Sequence, residues 1–284
     1  MDATEIYNHV NDHYSTFAKG SNDATYGAAI AKAFGYSEEE LAGTPQDANL
    51  GLSCGNPLVM ANLREGETVI DLGSGAGFDV FQAAKKVGAA GKAIGVDMNK
   101  DMLARANRNK EKVNAANVTF VESPITKIAL PASTADCIIS NCVINLVPEN
   151  EKHLAFEEMF RLLKSGGRVA ISDILAKKAL PDALKRDVAL YVGCISGASQ
   201  ATDYERYLRE AGFKSVAVID TNRDLNVYTQ TQGNSSSDTC CSATSAQASC
   251  CGKTESSDDK VLEHLSKYNP NDWAGSFQIY AIKA

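Results

Sequence analysis

From residue 67 onward, short apolar runs alternate with stretches whose apolar positions recur every three or four residues. The runs Thr68–Asp71, Ala93–Asp97, Val118–Val121, Cys137–Asn141, Arg168–Ile174 and Ser215–Ile219 predict buried strands. The stretches Phe78–Val87, Asp101–Val113 and Glu151–Leu163 predict helices, the last closed by Lys164-Ser-Gly-Gly167. Phe277–Ile282 predicts one more strand. Repeated strand–helix units can bury these faces only in an open, mainly parallel sheet with helices on both sides, so the fold class is α/β. Ahead of the first strand, Ile6, Val10, Tyr14 and Phe17 recur at helical spacing, and a small-residue stretch leads to Ala28–Phe34. This extension ends in the turn-rich loop Asn49-Leu-Gly-Leu-Ser-Cys-Gly-Asn-Pro57 and is read as a helical lid.

Four segments follow from this pattern. Residues 1–66 form the lid, 67–229 the core, 230–260 an insertion, and 261–284 a closing segment with the last strand. The insertion is rich in Ser, Thr, Gly, Gln and Ala, a composition that cannot bury a core, so it is expected to be disordered. The whole sequence has 284 residues with 44% hydrophobic and 22% charged content, enough for a sizeable core. Its formal net charge is −7 and no Lys/Arg block interrupts it. That excludes electrostatically held nucleic acid or anionic membrane as partners. The first thirteen residues are polar and acidic, unlike a signal peptide, and no run nears the roughly 18 apolar residues of a membrane helix. A soluble, cytoplasmic monomer is expected.

The eight cysteines change the picture. Cys54, Cys137, Cys142 and Cys194 stand singly, whereas Cys240-Cys241 and Cys250-Cys251 are adjacent pairs. In a reducing compartment these are thiols, so metal, metalloid or redox chemistry outranks structural disulfides. No C-x-x-C knuckle is present, and His9, His13, His153 and His264 show no ligand spacing to any cysteine.

The stretch Val69-Ile-Asp-Leu-Gly-Ser-Gly-Ala-Gly-Phe-Asp79 joins the first strand to the first core helix through a glycine turn. Such a corner cradles a nucleotide, because glycines let a ligand approach the main chain. A dinucleotide fingerprint would need glycine at 78, where Phe78 stands, so an NAD oxidoreductase is disfavoured. The spacing D-x-G-x-G-x-G resembles instead that of class I methyltransferases, which bind S-adenosylmethionine. Asp97, at the end of the second strand, is placed to accept both ribose hydroxyls. The expected cofactor site comprises Asp71, Gly73, Ser74, Gly75, Gly77, Asp97 and Met98, with Ile125 and Asn141 at neighbouring strand ends. No metal cofactor is expected.

In an open α/β sheet the ligand lies beyond the carboxyl ends of the strands. Cys142 directly follows one such end in Ser140-Asn-Cys-Val-Ile-Asn145, which favours an acceptor ligand over a core residue. Cys194, in Tyr191-Val-Gly-Cys-Ile-Ser-Gly-Ala198, belongs to the same edge, and Cys54 can reach it from the lid loop. Cys137 opens an apolar strand and is read as core. Three thiols aimed at one place suit a soft, thiophilic substrate.

These motifs, with Asp272-Trp-Ala-Gly-Ser-Phe-Gln-Ile-Tyr280, resemble the arsenite S-adenosylmethionine methyltransferases over residues 45–230 and 270–284. The resemblance implies a seven-stranded class I fold and trivalent arsenic, delivered as a thiol conjugate, bound by Cys54, Cys142 and Cys194. The arsenic lone pair would take the methyl group of S-adenosylmethionine, giving mono- and dimethylated arsenicals, with glutathione or a thioredoxin-type protein as reductant. Many members of the family carry a further upstream cysteine that pairs with the equivalent of Cys54, yet residues 1–53 contain none. Either Cys54 pairs with another thiol, such as one of the tail pairs, or external thiols resolve the intermediate. Two other readings compete: a methyltransferase for a carbon, nitrogen or oxygen acceptor, and a thiol-based metalloid-binding protein without turnover. The intact glycine corner argues against the second.

Overall fold

The computed structural model describes residues 2–20, 23–180, 196–230 and 269–284. Its strands are Thr68–Leu72 (β1), Lys92–Asp97 (β2), Val118–Glu122 (β3), Ala135–Asn141 (β4), Leu163–Ala176 (β5), Lys214–Asp220 (β6) and Ala274–Ile282 (β7). They form one sheet in the order β3-β2-β1-β4-β5-β7-β6. β1 to β5 pair in parallel, while β7 runs antiparallel between β5 and β6. The chain therefore reverses its winding between β1 and β4, and a crevice opens at their carboxyl ends.

Alternation along each strand sends neighbouring residues to opposite faces. Ile70, Leu72, Ile138, Val169 and Ile171 pack on one face with Phe156 and Met159 of the helix Lys152–Leu162 and Tyr204 and Leu208 of the helix Ala201–Ala211. Val69, Cys137, Ile139 and Ala170 pack on the other with Leu58 of Pro57–Ala61 and Val80, Phe81 and Ala84 of Phe78–Val87. We name the helices in chain order α1 (Ala3–Lys19), α2 (Ala24–Ala33), α3 (Glu38–Ala42), α4 (Pro57–Ala61), α5 (Phe78–Val87), α6 (Lys100–Lys112), α7 (Lys152–Leu162) and α8 (Ala201–Ala211). At the amino edge of the sheet, Arg168 grips Glu67 through two parallel hydrogen bonds of 2.8 Å. This bidentate pair ties β5 to the start of β1, far from the crevice.

The expected strands are all present, while the helix reading needs two changes. α7 stops at Leu162 and Leu163 already pairs with Ala135, so residues expected to close the helix belong to β5. The backbone there is held by Lys283, just after β7, whose N–H donates to Gly167 carbonyl and whose carbonyl accepts from Gly166 N–H. α8 escaped the apolar reading because only Tyr204, Tyr207 and Leu208 of its eleven residues are buried. The insertion expected at 230–260 lies, apart from Gln230, outside the described residues, as do Cys194, Cys240, Cys241, Cys250 and Cys251. No described helix is long and apolar enough to cross a membrane.

The N-terminal helices begin with well-formed caps. Asp2 accepts from Glu5 N–H while Glu5 returns the bond, and Ser37 and Glu40 repeat that box at α3. Asp23 caps α2 through Thr25 and Tyr26. Val10, Ile30 and Phe34 then share a small core with Leu146, Ile174, Cys54 and Cys142. That core lies over the carboxyl ends of the central strands, so the lid and the crevice are one structure.

Candidate functional site

The crevice is lined from below by Asp71, Gly73, Ser74, Gly75, Asp97, Met98, Ile125, Asn141 and Cys142, and from above by Tyr7, Val10, Asn11 and Tyr14 of α1. Its empty volume is about 1090 Å³ including the mouth, ample for a nucleotide-sized ligand. Of the expected cofactor residues only Gly77 is absent from the lining. A Cβ at Gly77 would lie 2.8 Å from the Phe81 ring and 2.9 Å from Phe120. This glycine serves close packing of α5 against β3 and does not face the crevice.

Asp97 organises the turn. Its carboxylate accepts from Gly75 N–H and from Asn99 N–H, both at 2.8 Å. The neighbouring Asn99 caps α6 by accepting from Met102 N–H, and its amide donates to Asn11 and Ser15 of α1. The second strand end is thereby tied to the lid. One feature suits S-adenosylmethionine in this crevice: the space a Cβ on Gly75 would enter is open, its nearest neighbour being Met102 Sδ at 3.9 Å, so a ligand can approach the main chain there.

The electrostatics of this corner are one-sided. Burial, and then the nearby Asp79 and Asp97, push the Asp71 carboxyl well above the ordinary range. Burial lifts Asp79 to about 6, although hydrogen bonds from Asn141 and Tyr36 oppose it, and burial raises Asp97 as well. Burial raises all three carboxyls and its neighbours raise Asp71 further, a cost that a cationic ligand beside them would relieve.

The structure brings two of the three expected thiols together. Cys54 and Cys142 are joined in a disulfide with Cα atoms 5.9 Å apart. This corrects the expectation that both are free thiols, and of the alternatives for Cys54 it matches pairing with another thiol, Cys142. The pairing follows from placement: the loop before α4 crosses the end of β4, where Cys142 begins the next turn at φ 58°. Cys142 N–H donates to Ser172 of β5 and Ser276 of β7 donates to Cys54 carbonyl at 2.6 Å, pinning both residues. Cys54 is fully buried and Cys142 is 8% exposed.

Sequence reasoning passed over Asp173. Its carboxylate is fully buried, and one of its oxygens lies with the two sulfurs in a group spanning no more than 4.8 Å. Asn145 and Ile174 N–H donate to it at 2.9 Å and Tyr204 hydroxyl at 2.8 Å, while burial pushes it up to about 6. The signal was present: Asp173 stands at the carboxyl end of β5 as Asp71 and Asp97 stand at theirs. Asn141 lines the crevice as expected, and its amide also bonds around Cys54, a point taken up below.

Cys137 behaves as expected of a core residue. It is fully buried between the sheet and α5, and it is the free cysteine among the described residues. Burial disfavours the thiolate and raises its pKa to about 12. At pH 8 only about one such thiol in ten thousand is ionised. Iodoacetamide should therefore leave Cys137 unmodified in folded, reduced protein, as peptide mass spectrometry can check. Labelling of Cys137 as fast as that of Cys142 would contradict the assignment.

Comparison with known proteins places this geometry. Residues 63–212 match the methyltransferase domain family. An arsenite methyltransferase of Halobacterium salinarum is 40% identical over 213 residues, covering 71% of this chain and 54% of that protein. The Mus musculus arsenite methyltransferase is 32% identical over 225 residues, covering 75% of this chain and 59% of that protein. The chain thus spans a little over half the length of these relatives. A crystal structure of an arsenic(III) S-adenosylmethionine methyltransferase from Chlamydomonas reinhardtii superposes with a TM-score of 0.55 at 25% identity, covering 93% of this chain and 75% of that one. A Haemonchus contortus phosphoethanolamine N-methyltransferase in complex with S-adenosyl-L-methionine shares the fold at a TM-score of 0.65 and 17% identity, covering 96% of this chain and 60% of that one. With half of its length matched by the family and its sheet, glycine corner and crevice in the expected places, the chain belongs to the methyltransferase domain family.

Proposed function

We propose that the chain is an arsenite methyltransferase, moving methyl groups from S-adenosylmethionine to trivalent arsenic held on cysteine sulfur. The observation that carries this reading is the meeting of Cys54 and Cys142 at the end of β4, with Cys142 on the wall of the same crevice as Gly75 and Asp97. The names of the relatives point the same way.

S-adenosylmethionine, when bound, supplies a methyl group activated by the positive charge on its sulfur. Gly73, Ser74, Gly75 and Asp97 would hold it, and Met98 and Ile125 offer apolar contact beside them. Asp71 and Asp79 favour a cation there over a neutral molecule. Cys54 and Cys142, once reduced, offer two soft ligands to arsenic, and Cys194 is proposed as the third. Thiols bind as thiolates, so arsenic uptake releases protons. Holding the acceptor against the donor's wall supplies the rate advantage of fixed orientation, and no general base is required. Glutathione or a thioredoxin-type protein in the cytoplasm would keep the pair reduced.

The test is arsenic speciation after incubation with arsenite, S-adenosylmethionine and glutathione. Methylated arsenic is expected from the native chain, and Cys142→Ser should lower its yield by at least about a hundredfold, since two anchored ligands gain that much over one. Bound cofactor with no methylated arsenic from the native chain would move the protein to another acceptor.

A further inference from the structure

Cys54 does not line the crevice, yet a continuous set of hydrogen bonds joins it to residues that do. Asn141 Oδ1 accepts from Cys54 N–H at 3.2 Å and lies 3.5 Å from Cys54 Sγ. The amide nitrogen at the other end, with two N–H groups to share, lies 3.0 Å from each of Gly55 carbonyl, Tyr36 hydroxyl and Asp79 carboxylate. Tyr36 hydroxyl in turn donates to the second oxygen of Asp79 at 2.7 Å. Tyr36 comes from the lid, Asp79 from the first turn of α5, and Asn141 from the end of β4. Asp79 and Asn141 both face the crevice, as does Phe78, whose ring packs 5.0 Å from that of Tyr36.

This arrangement leaves Asn141 a single workable orientation. Three acceptors surround its nitrogen and one donor faces its oxygen, so a flipped amide would lose every bond. The orientation depends on Asp79, which accepts from both Asn141 and Tyr36 and which is fixed in turn by Tyr36. Tyr36 and Asp79 are buried, so each bond lost there leaves a polar group without water.

We propose that Tyr36, Asp79 and Asn141 are positioning residues that transmit occupancy of the crevice to Cys54. A ligand filling the crevice packs against Phe78, Asp79 and Asn141, removes their freedom, and so holds the Cys54 loop in its ligating place. An empty crevice lets the loop open more often, and the two sites share one local opening equilibrium. The inference rests on reading the crevice as the cofactor site and Cys54 as an acceptor ligand. It orders the reaction, because donor binding would prepare the thiol that takes arsenic.

The test needs no arsenic. Fully reduced protein is alkylated with iodoacetamide, with and without saturating S-adenosylhomocysteine, and Cys54 and Cys142 are followed separately by peptide mass spectrometry. In the native chain the ligand should slow Cys54 alkylation by about fivefold, the lower end of ordinary site-to-site coupling. In Tyr36→Phe, which keeps the ring against Phe78, that factor should fall to below about twofold while affinity for the ligand, by calorimetry, stays within about threefold. Cys142 faces the ligand directly and should be protected in both proteins. Asp79→Leu serves as the second variant, since it keeps the bulk but offers Asn141 and Tyr36 no acceptor and should also uncouple Cys54. Equal coupling at Cys54 in the native chain and in both folded variants would overturn the proposal. Coupling present in a native chain that methylates no arsenic would support the relay and remove the arsenic reading alone.

Discussion

Arsenite added to the oxidised protein should pass a desalting column unbound, whereas the reduced protein should carry about one arsenic per chain. The expectation follows from the connectivity of Cys54 and Cys142. Disulfide sulfurs have no thiolate to give, and the remaining described thiol, Cys137, lies under the sheet with its pKa raised to about 12. Two thiolates on one arsenic act as a chelate, and losing both should weaken retention by at least about a hundredfold. Cys240, Cys241, Cys250 and Cys251 could bind arsenic by themselves, so the measurement uses a chain with those four replaced by serine. Reduction should employ a phosphine, because a dithiol would compete for the metalloid. Arsenic counted by plasma mass spectrometry then gives a direct ratio. Equal arsenic on the oxidised and reduced chains would show that this pair is not the binding site.

The same pair marks the limit of what the sequence could tell. Cys142 stood out as a candidate ligand because it directly follows a strand end, and Cys54 because the lid loop can reach that edge. Their bond to each other was not legible, since 88 residues separate them and nothing local fixes how the lid loop crosses β4. The strands show the same division. Parallel strands buried on both faces read as apolar runs, so Thr68–Asp71 and its successors stood out. A period of two says which face a residue takes but not which strand lies alongside, and the insertion of antiparallel β7 between β5 and β6 had no local signal. The Asp79–Tyr36–Asn141 set was invisible for a related reason. Its members are 43 and 62 residues from Asp79; Asn141 was read as a site residue from its strand end, but nothing local linked it to Tyr36 or Asp79. Gly77, expected at the cofactor, is accounted for by close packing, because glycine spacing reports where side chains are excluded, and neighbouring protein excludes them as well as a ligand does.

That ambiguity can be resolved by experiment at the other two glycines of the turn. Gly73 has φ +70° and Gly75 φ +50°, so alanine at either position carries a left-handed backbone cost of about 1–2 kcal/mol. Their surroundings differ. A Cβ on Gly73 would lie 2.3 Å from Val143 Cγ2, 2.5 Å from Cγ1 and 2.9 Å from Cβ, an overlap that one rotamer change cannot clear. Val143 follows Cys142, so the push would fall on the turn that carries the thiol. Overpacking of this kind adds about 1–3 kcal/mol. At about 3 °C per kcal/mol for a chain of this size class, the combined cost of about 2–5 kcal/mol should make Gly73→Ala melt about 6–15 °C below the native protein. Gly75→Ala has only the backbone cost and should lose about 3–6 °C. Affinity for S-adenosylhomocysteine, measured by calorimetry, should reverse the ranking per degree lost. The methyl on residue 75 would occupy the open space beside the main chain and weaken binding by about thirtyfold, or roughly 2 kcal/mol. Native-like affinity in Gly75→Ala would show that the ligand does not approach the turn there. Equal melting temperatures for the two variants would show that Val143 yields, and that Gly73 matters only for its backbone angle.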